Sequence, residues 1–98
     1  MSKAALNPYG DYPPYAFLEQ VAQHCHKAVS TYLWLWKNKN KSHKVTIDNT
    51  RIPFLTAQGT AQFNHNLLLL SREHLINVDK EDNLTEIELV AWEDVTDA

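Results

Sequence analysis

Glycine is nearly absent from this 98-residue chain, with Gly10 and Gly59 standing far apart. Neither GxGxxG nor P-loop spacing can be built from them, so a phosphate-cradling loop is excluded. The single cysteine, Cys25, has no partner for an internal disulfide, which fits a reducing cytoplasm. Long apolar runs are missing too. "YLWLW" and "LLLL" are the longest, far short of the roughly 20 residues that span a bilayer. No cationic stretch followed by an apolar run opens the chain, so no secretion signal is expected. These absences point to a soluble cytoplasmic protein with no membrane partner.

What is present suits one small folded domain. At 44% hydrophobic and 21% charged residues, the composition allows a modest core and argues against disorder. The net charge of -3 conceals a strong asymmetry. Residues 20–72 carry seven lysines and arginines against Asp48 alone, a net +6, whereas residues 73–98 carry nine acids against Lys80, a net -8. A basic middle attracts a polyanion and an acidic end repels one.

Periodicity divides the chain. "MSKAALNPYGDYPP" reads as an N-terminal arm over residues 1–14, because its prolines and glycine oppose regular helix. Tyr9, Tyr12 and Tyr15 are placed to anchor it. A helix is expected from near Pro14, with Phe17, Leu18, Val21 and Ala22 on one stripe, and "QHCHK" interrupts it. A second helix follows in "KAVSTYLWLWKNK", where Val29, Tyr32, Leu33 and Trp36 share a face that Ala28 and Leu35 widen. Trp34 points elsewhere and needs a neighbouring segment or a partner to cover it.

After the basic linker "KNKNKSHK", "KVTIDN" alternates like a short strand. Asn49 or Thr50 is the expected cap of a brief helix through Arg51, Ile52, Phe54 and Leu55. Gly59 is the expected turn residue, and Thr60 the expected cap of a helix running to about Glu73. Two strands, Leu75–Val78 and Glu86–Val90, then flank the polar turn "DKEDNLT". Phe54, Phe63, Leu67, Leu70, Leu75, Ile76, Ile87 and Leu89 should form one core with Val29, Tyr32, Leu33 and Trp36. The order is helix, helix, short strand, short helix, turn, helix, strand, acidic turn, strand.

"LLLLSREHLINVDKEDNLTEIELV" resembles the winged helix-turn-helix pattern of a leucine-rich recognition helix, a "GLI" or "GLV", a charged turn and a strand. "STYLWLWKNKNKSHKVTIDNTRI" is similar to the segment by which small bacterial members of that family enter their first strand. The resemblance covers roughly Ala28 to Val90. It implies an α+β, mostly α fold: a winged helix-turn-helix with an extra N-terminal helix and a C-terminal β-hairpin wing. The winged-helix domain would span residues 15–92, and residues 93–98 would be an acidic tail. Family members lay the helix after the turn in the major groove and touch the DNA backbone or minor groove with the hairpin. His74 stands where the family has glycine, so a left-handed helix end has to be made by a histidine or avoided.

The implied function is a small DNA-binding transcriptional regulator from a bacterium or mobile element, with double-stranded DNA as partner and a homodimer as a further expectation. Counting 100° per residue from Phe63 puts Phe63, Leu67, Leu70 and His74 inward. Ala61, His65, Leu68 and Arg72 then face outward, with Gln62 and Asn64 on the flanks. Asparagine and glutamine amides bond adenine bidentately, and histidine bonds guanine or phosphate. Lys41, Lys44 and Arg51 are the candidate phosphate contacts, with Thr60 at the start of the reading helix.

An alternative remains beside this one. Asp79, Glu81 and Asp82 surround Lys80 at the expected hairpin tip and would repel phosphate. With exposed Trp34, Leu68 and Leu69 they would make the docking surface of a non-catalytic adaptor or inhibitor. An enzyme centred on Cys25, between His24 and His26, is a third reading. Consecutive helical residues diverge by 100°, so "HCH" cannot converge on one metal ion. Glu86 and Glu88 share one face of a strand, which is the ordinary arrangement of a solvated edge. No catalytic constellation, metal site or cofactor is expected.

Overall fold

The computed structural model describes residues 13–53 and 58–90. Phe54, Leu55, Tyr9, Tyr12 and the acidic tail lie outside that range. The described chain is α+β, with three α-helices and one three-stranded antiparallel sheet. None of its helices is long and apolar enough to cross a membrane.

Helix α1 spans Tyr15–His24. Pro14 sits one residue before it, with its carbonyl accepting from the amides of Phe17 and Leu18 at 3.1 Å. Pro13 and Pro14 are both buried. Phe17 and Val21 face the core and Leu18 packs against it, while Ala22 is exposed. Cys25 breaks the helix with φ -152°, and a 3₁₀ turn, His26–Ala28, leads into α2, Val29–Asn38.

The buried face of α2 is rotated from the expected stripe. Ala28, Thr31, Tyr32, Leu35 and Trp36 are buried, whereas Val29 and Leu33 are only half-buried. Trp34 packs edge-on against Phe63, with ring centroids 6.1 Å apart, so a neighbouring helix supplies its cover. After α2, Asn40 organises the loop. Its side-chain oxygen accepts from the amides of Ser42 (2.8 Å) and Lys44 (3.1 Å). His43 takes the left-handed conformation (φ 62°), and its carbonyl receives the Leu89 amide at 2.8 Å, which opens the sheet.

Strands β1 (Lys44–Asp48), β2 (Ile76–Glu81) and β3 (Leu84–Leu89) pair in the order β1-β3-β2. The register places Val45, Ile87 and Val78 in one row, and Ile47, Thr85 and Lys80 in the next. Val45, Ile47, Thr85, Ile87, Leu89 and Ile76 are buried, so this side of the pleat faces the helices. The hairpin is longer than the sequence suggested. Asp79, Lys80 and Glu81 belong to β2, and only Asp82 and Asn83 make the turn, with Asp82 left-handed at φ 52°.

The cap of the short helical segment after β1 is Asp48, not Asn49 or Thr50. Its carboxylate accepts from the Thr50 amide at 3.0 Å and from the Thr50 hydroxyl at 2.8 Å. Those two bonds hold the Asp48 carboxyl below its ordinary value. Helix α3 spans Thr60–Arg72 and begins after Gly59, which is extended at φ -69°. Thr60 is therefore the first helical residue rather than the cap. A Cβ at Gly59 would meet nothing within 4 Å, so that position needs no glycine.

The far end of α3 answers the question raised by the missing glycine. His74 adopts φ 62°, its amide reaches Ser71 at 3.0 Å, and the Leu75 amide reaches Leu70 at 3.2 Å. This is the Schellman closure, made by histidine at some conformational cost. Buried Phe63, Leu67, Leu70, Leu75, Ile76, Ile87 and Leu89 join Tyr32 and Trp36 in one core, as the periodicity implied. His74 itself is exposed, because the helix has already ended.

Candidate functional site

The outward face of α3 carries Ala61, Gln62, His65, Leu68 and Arg72, all exposed, with Asn64 half-buried at its edge. Beside it runs β2, whose pleat decides which of its charges this face meets. Val78 and Lys80 turn toward the helix, and a groove of about 150 Å³ forms between Asn64, Leu67, Leu68, Ser71, Val78 and Lys80. Within it Lys80 Nζ donates to Asn64 Oδ1 at 3.2 Å.

Asp79 and Glu81 turn the other way. With Thr46, Leu84 and Glu86 they line a separate cleft of about 180 Å³ on the outer face of the sheet. In register on that face lie Asp48, Leu84 and Glu81, then Thr46, Glu86 and Asp79, then Lys44, Glu88 and Asn77. The acids flanking Lys80 in sequence are therefore a sheet's thickness away from it in direction. They do not surround it at the tip; only Asp82 sits in the turn itself.

The candidate phosphate contacts are not brought together. Lys44 lies on the outer sheet face, 4.0 Å from Glu86. Lys41 is exposed in the loop before β1, and Arg51 is exposed beyond β1 near Asp48. Lys39 stacks over the Trp36 ring at 5.4 Å. Thr60 is exposed at the start of α3, and Arg72 closes its last turn.

Two of the reading residues have prior commitments. Gln62 Nε2 donates to Asn66 Oδ1 at 3.0 Å, and Asn66 Nδ2 donates to Thr31 Oγ1 at 2.9 Å. The Thr31 hydroxyl in turn donates to Gln58 Oε1 at 3.1 Å. Gln62 is thus the exposed end of a polar chain that enters the core. Asn66 was not among the residues expected to face inward, because its polarity hid a burial that its spacing of three from Phe63 allows. Asn64 is the other committed residue, through Lys80.

Lys80 is the residue that sequence reading passed over, since three acids stand around it. Strand alternation carried two positions past Val78 would have placed it on the helix side. Leu84, half-exposed on the acidic sheet face, was also passed over. Of the apolar docking patch, Leu68 is open at 48% exposure, while Trp34 and Leu69 pack against the core.

At the opposite end of α3, Glu73 ties down α1. Gln20 Nε2 donates to the Glu73 carboxylate at 2.9 Å and to its carbonyl at 3.1 Å, and His24 Nδ1 lies 2.9 Å from the carboxylate. These bonds hold Glu73 below the usual carboxylate range. Burial, aided by Glu73, pushes the neighbouring Cys25 thiol up, opposite to what a nucleophile between two histidines needs. Burial also raises the Tyr32 phenol, against a smaller opposing interaction with Trp36.

No protein-family model matches the chain, and neither a curated protein nor a solved structure matches it.

Proposed function

We propose that this chain is a small winged-helix DNA-binding protein, acting as a transcriptional regulator in a bacterium or mobile element. Helix α3 is its reading helix, and the β2–β3 hairpin is its wing. The arrangement that supports this is α2, β1, a short helical segment, α3 and a hairpin whose last strand pairs with β1. The observation that carries it is the placement of Lys80 beside Asn64, with Asp79 and Glu81 turned to the far face. Pleating thereby turns Asp79 and Glu81 away from the reading face: Gln62, Asn64, His65, Arg72 and Lys80 meet the duplex, and Thr60 enters at the helix start.

Few cations serve this face, so affinity depends less on phosphate than in a strongly basic regulator. Fluorescence anisotropy with a randomised duplex at low salt tests the reading. Binding should weaken with salt at a slope of roughly -0.9 per phosphate contacted. Arg72→Ala should lower affinity for all sequences alike. Absence of binding at low salt would overturn it.

A specific observation favours a second reading, a protein-binding adaptor. The outer sheet face sets Asp48, Asp79, Glu81 and Glu86 about half-exposed Leu84, with Glu88 further along beside Lys44, which suits a basic partner with one apolar anchor. Retention of duplex binding after Leu84→Asp, together with loss of a captured basic protein, would assign the two faces separately.

A further inference from the structure

We infer that Lys80 determines which base Asn64 reads, converting an adenine-type contact into a guanine-type one. The inference rests on the DNA-binding reading above and deepens it to a specificity residue. Its origin is the 3.2 Å bond from Lys80 Nζ to Asn64 Oδ1. A lysine ammonium carries three donors and no acceptor, so only the amide oxygen of Asn64 can face it. That chemistry fixes the orientation of the amide and directs Nδ2 away from Lys80.

The consequence is a change in the pattern presented to DNA. A freely rotating asparagine pairs with adenine by offering an acceptor to N6–H₂ and a donor to N7. Lys80 takes one of the two lone pairs of Oδ1 and sets a cation beside the other, so a base donor approaching Oδ1 meets the ammonium's N–H groups and charge. Asn64 then presents N–H donors, and the ammonium presents its remaining ones alongside. Guanine is the base whose major-groove edge offers two acceptors, O6 and N7. Adenine would set its N6–H₂ against donors, and cytosine would set its N4–H₂ against them. A pair rich in donors and carrying a positive charge therefore favours guanine.

The surroundings preserve this pairing. Lys80 stands in register with Ile47 and Thr85 on the helix-facing side of the sheet, and Val78 and Leu68 wall the groove next to it. Asn64 is half-buried at the groove edge, which narrows its rotamers. Asp79 and Glu81 lie on the other face of the sheet from Lys80. The hairpin thus acts on base choice through a side chain of the reading helix.

The test is selection from a randomised duplex by the wild-type protein and by Lys80→Met, Lys80→Arg and Asn64→Ala variants. Wild type and Lys80→Arg should enrich guanine at one position, by roughly five- to a hundred-fold over adenine. Lys80→Met should exchange guanine for adenine at that same position, and Asn64→Ala should lose the preference there. In the free protein, Lys80→Met should shift the Asn64 side-chain amide resonances, which checks the contact without DNA. If Lys80→Met keeps the wild-type base preference and only flattens the salt slope, Lys80 touches phosphate alone and the inference fails while DNA binding stands. Loss of guanine with no gain of adenine also overturns it, since Lys80 would then read the base unaided. If the wild type binds no duplex at low salt, the parent reading falls and the inference falls with it.

Discussion

Asn66 and Thr31 are joined by a 2.9 Å hydrogen bond between the middle of α3 and the first turn of α2, and both side chains are buried. The bond fixes the position of α3 along α2, and Gln62 and Gln58 extend it at either end. A buried amide keeps its place only where its donors and acceptors are met. Asn66→Ala leaves partners stranded and should cost about 1–3 kcal/mol by urea denaturation. Removing both partners with Thr31→Val and Asn66→Leu should recover most of that loss. A double variant as unstable as the single one would show that packing, not polar satisfaction, sets the cost.

Leu67 and Leu68 are adjacent and opposite. Leu67 is 2% exposed and Leu68 is 48% exposed. Leu67→Ala should destabilise the fold by about 2–5 kcal/mol, because a methyl-lined cavity replaces buried contacts. Leu68→Ala should stay within about 0.5 kcal/mol, the ordinary range for a surface change. Denaturation midpoints of the two variants check the phase of α3, on which the whole reading face depends.

That phase was legible in the sequence. Phe63, Leu67 and Leu70 marked the inward stripe of α3, and Val45 and Ile47 marked β1. Legibility failed where a residue's chemistry contradicted its position. Asn66 is polar yet buried, and Lys80 is flanked by acids yet turned from them. It failed at α2 because five apolar residues in succession, Tyr32 to Trp36, fit several faces. Among the described residues, edge-on packing against Phe63 is what covers Trp34. The hairpin was drawn too short because "DKEDN" has turn composition, whereas cross-strand pairing holds Asp79, Lys80 and Glu81 in the ladder. Helix starts were misplaced by one residue for a related reason. Asp48 out-competes Asn49 as a cap because its carboxylate accepts two bonds from Thr50.

His74 pays for closing α3 in a left-handed conformation that glycine would adopt without strain. His74→Gly should raise stability by up to about 1 kcal/mol, the strain relieved less the extra entropy glycine loses on folding. His74→Val should lower it, since a β-branched side chain is worst there. Thermal unfolding orders the three proteins; a fall in stability for His74→Gly would mean that the imidazole makes a compensating interaction.

Glu73 gives the fold an acid-sensitive clamp. Its carboxyl is held below its ordinary value of 4.5 by His24 first and Gln20 second. A carboxyl depressed by folding contributes stability that is fully present above its unfolded value. The contribution is lost as pH falls through the lower, folded value. Unfolding midpoints measured between pH 6 and pH 2.5 should therefore drop more steeply for wild type than for Glu73→Gln. Parallel curves would show that the clamp between α1 and α3 adds nothing.

The outer sheet face separates the two functional readings. Asp79→Asn, Glu81→Gln and Asp82→Asn together remove three charges while keeping side chains that suit the strand and the left-handed turn. Two of those charges point away from Lys80, and at 0.1 M salt a charge is screened over about 10 Å. Duplex affinity should therefore change by less than about two-fold under these conditions. A large rise would mean that the acids do reach the reading face, and that the pleat does not isolate them. If the sheet face docks a basic partner instead, the same triple change should slow association, because complementary charge acts mainly on encounter. The two measurements are independent, since a protein that reads DNA with α3 and docks a partner on the sheet would lose only the second. Only when duplex binding is absent from wild type and the partner is lost from the triple variant does the acidic face become the protein's principal surface.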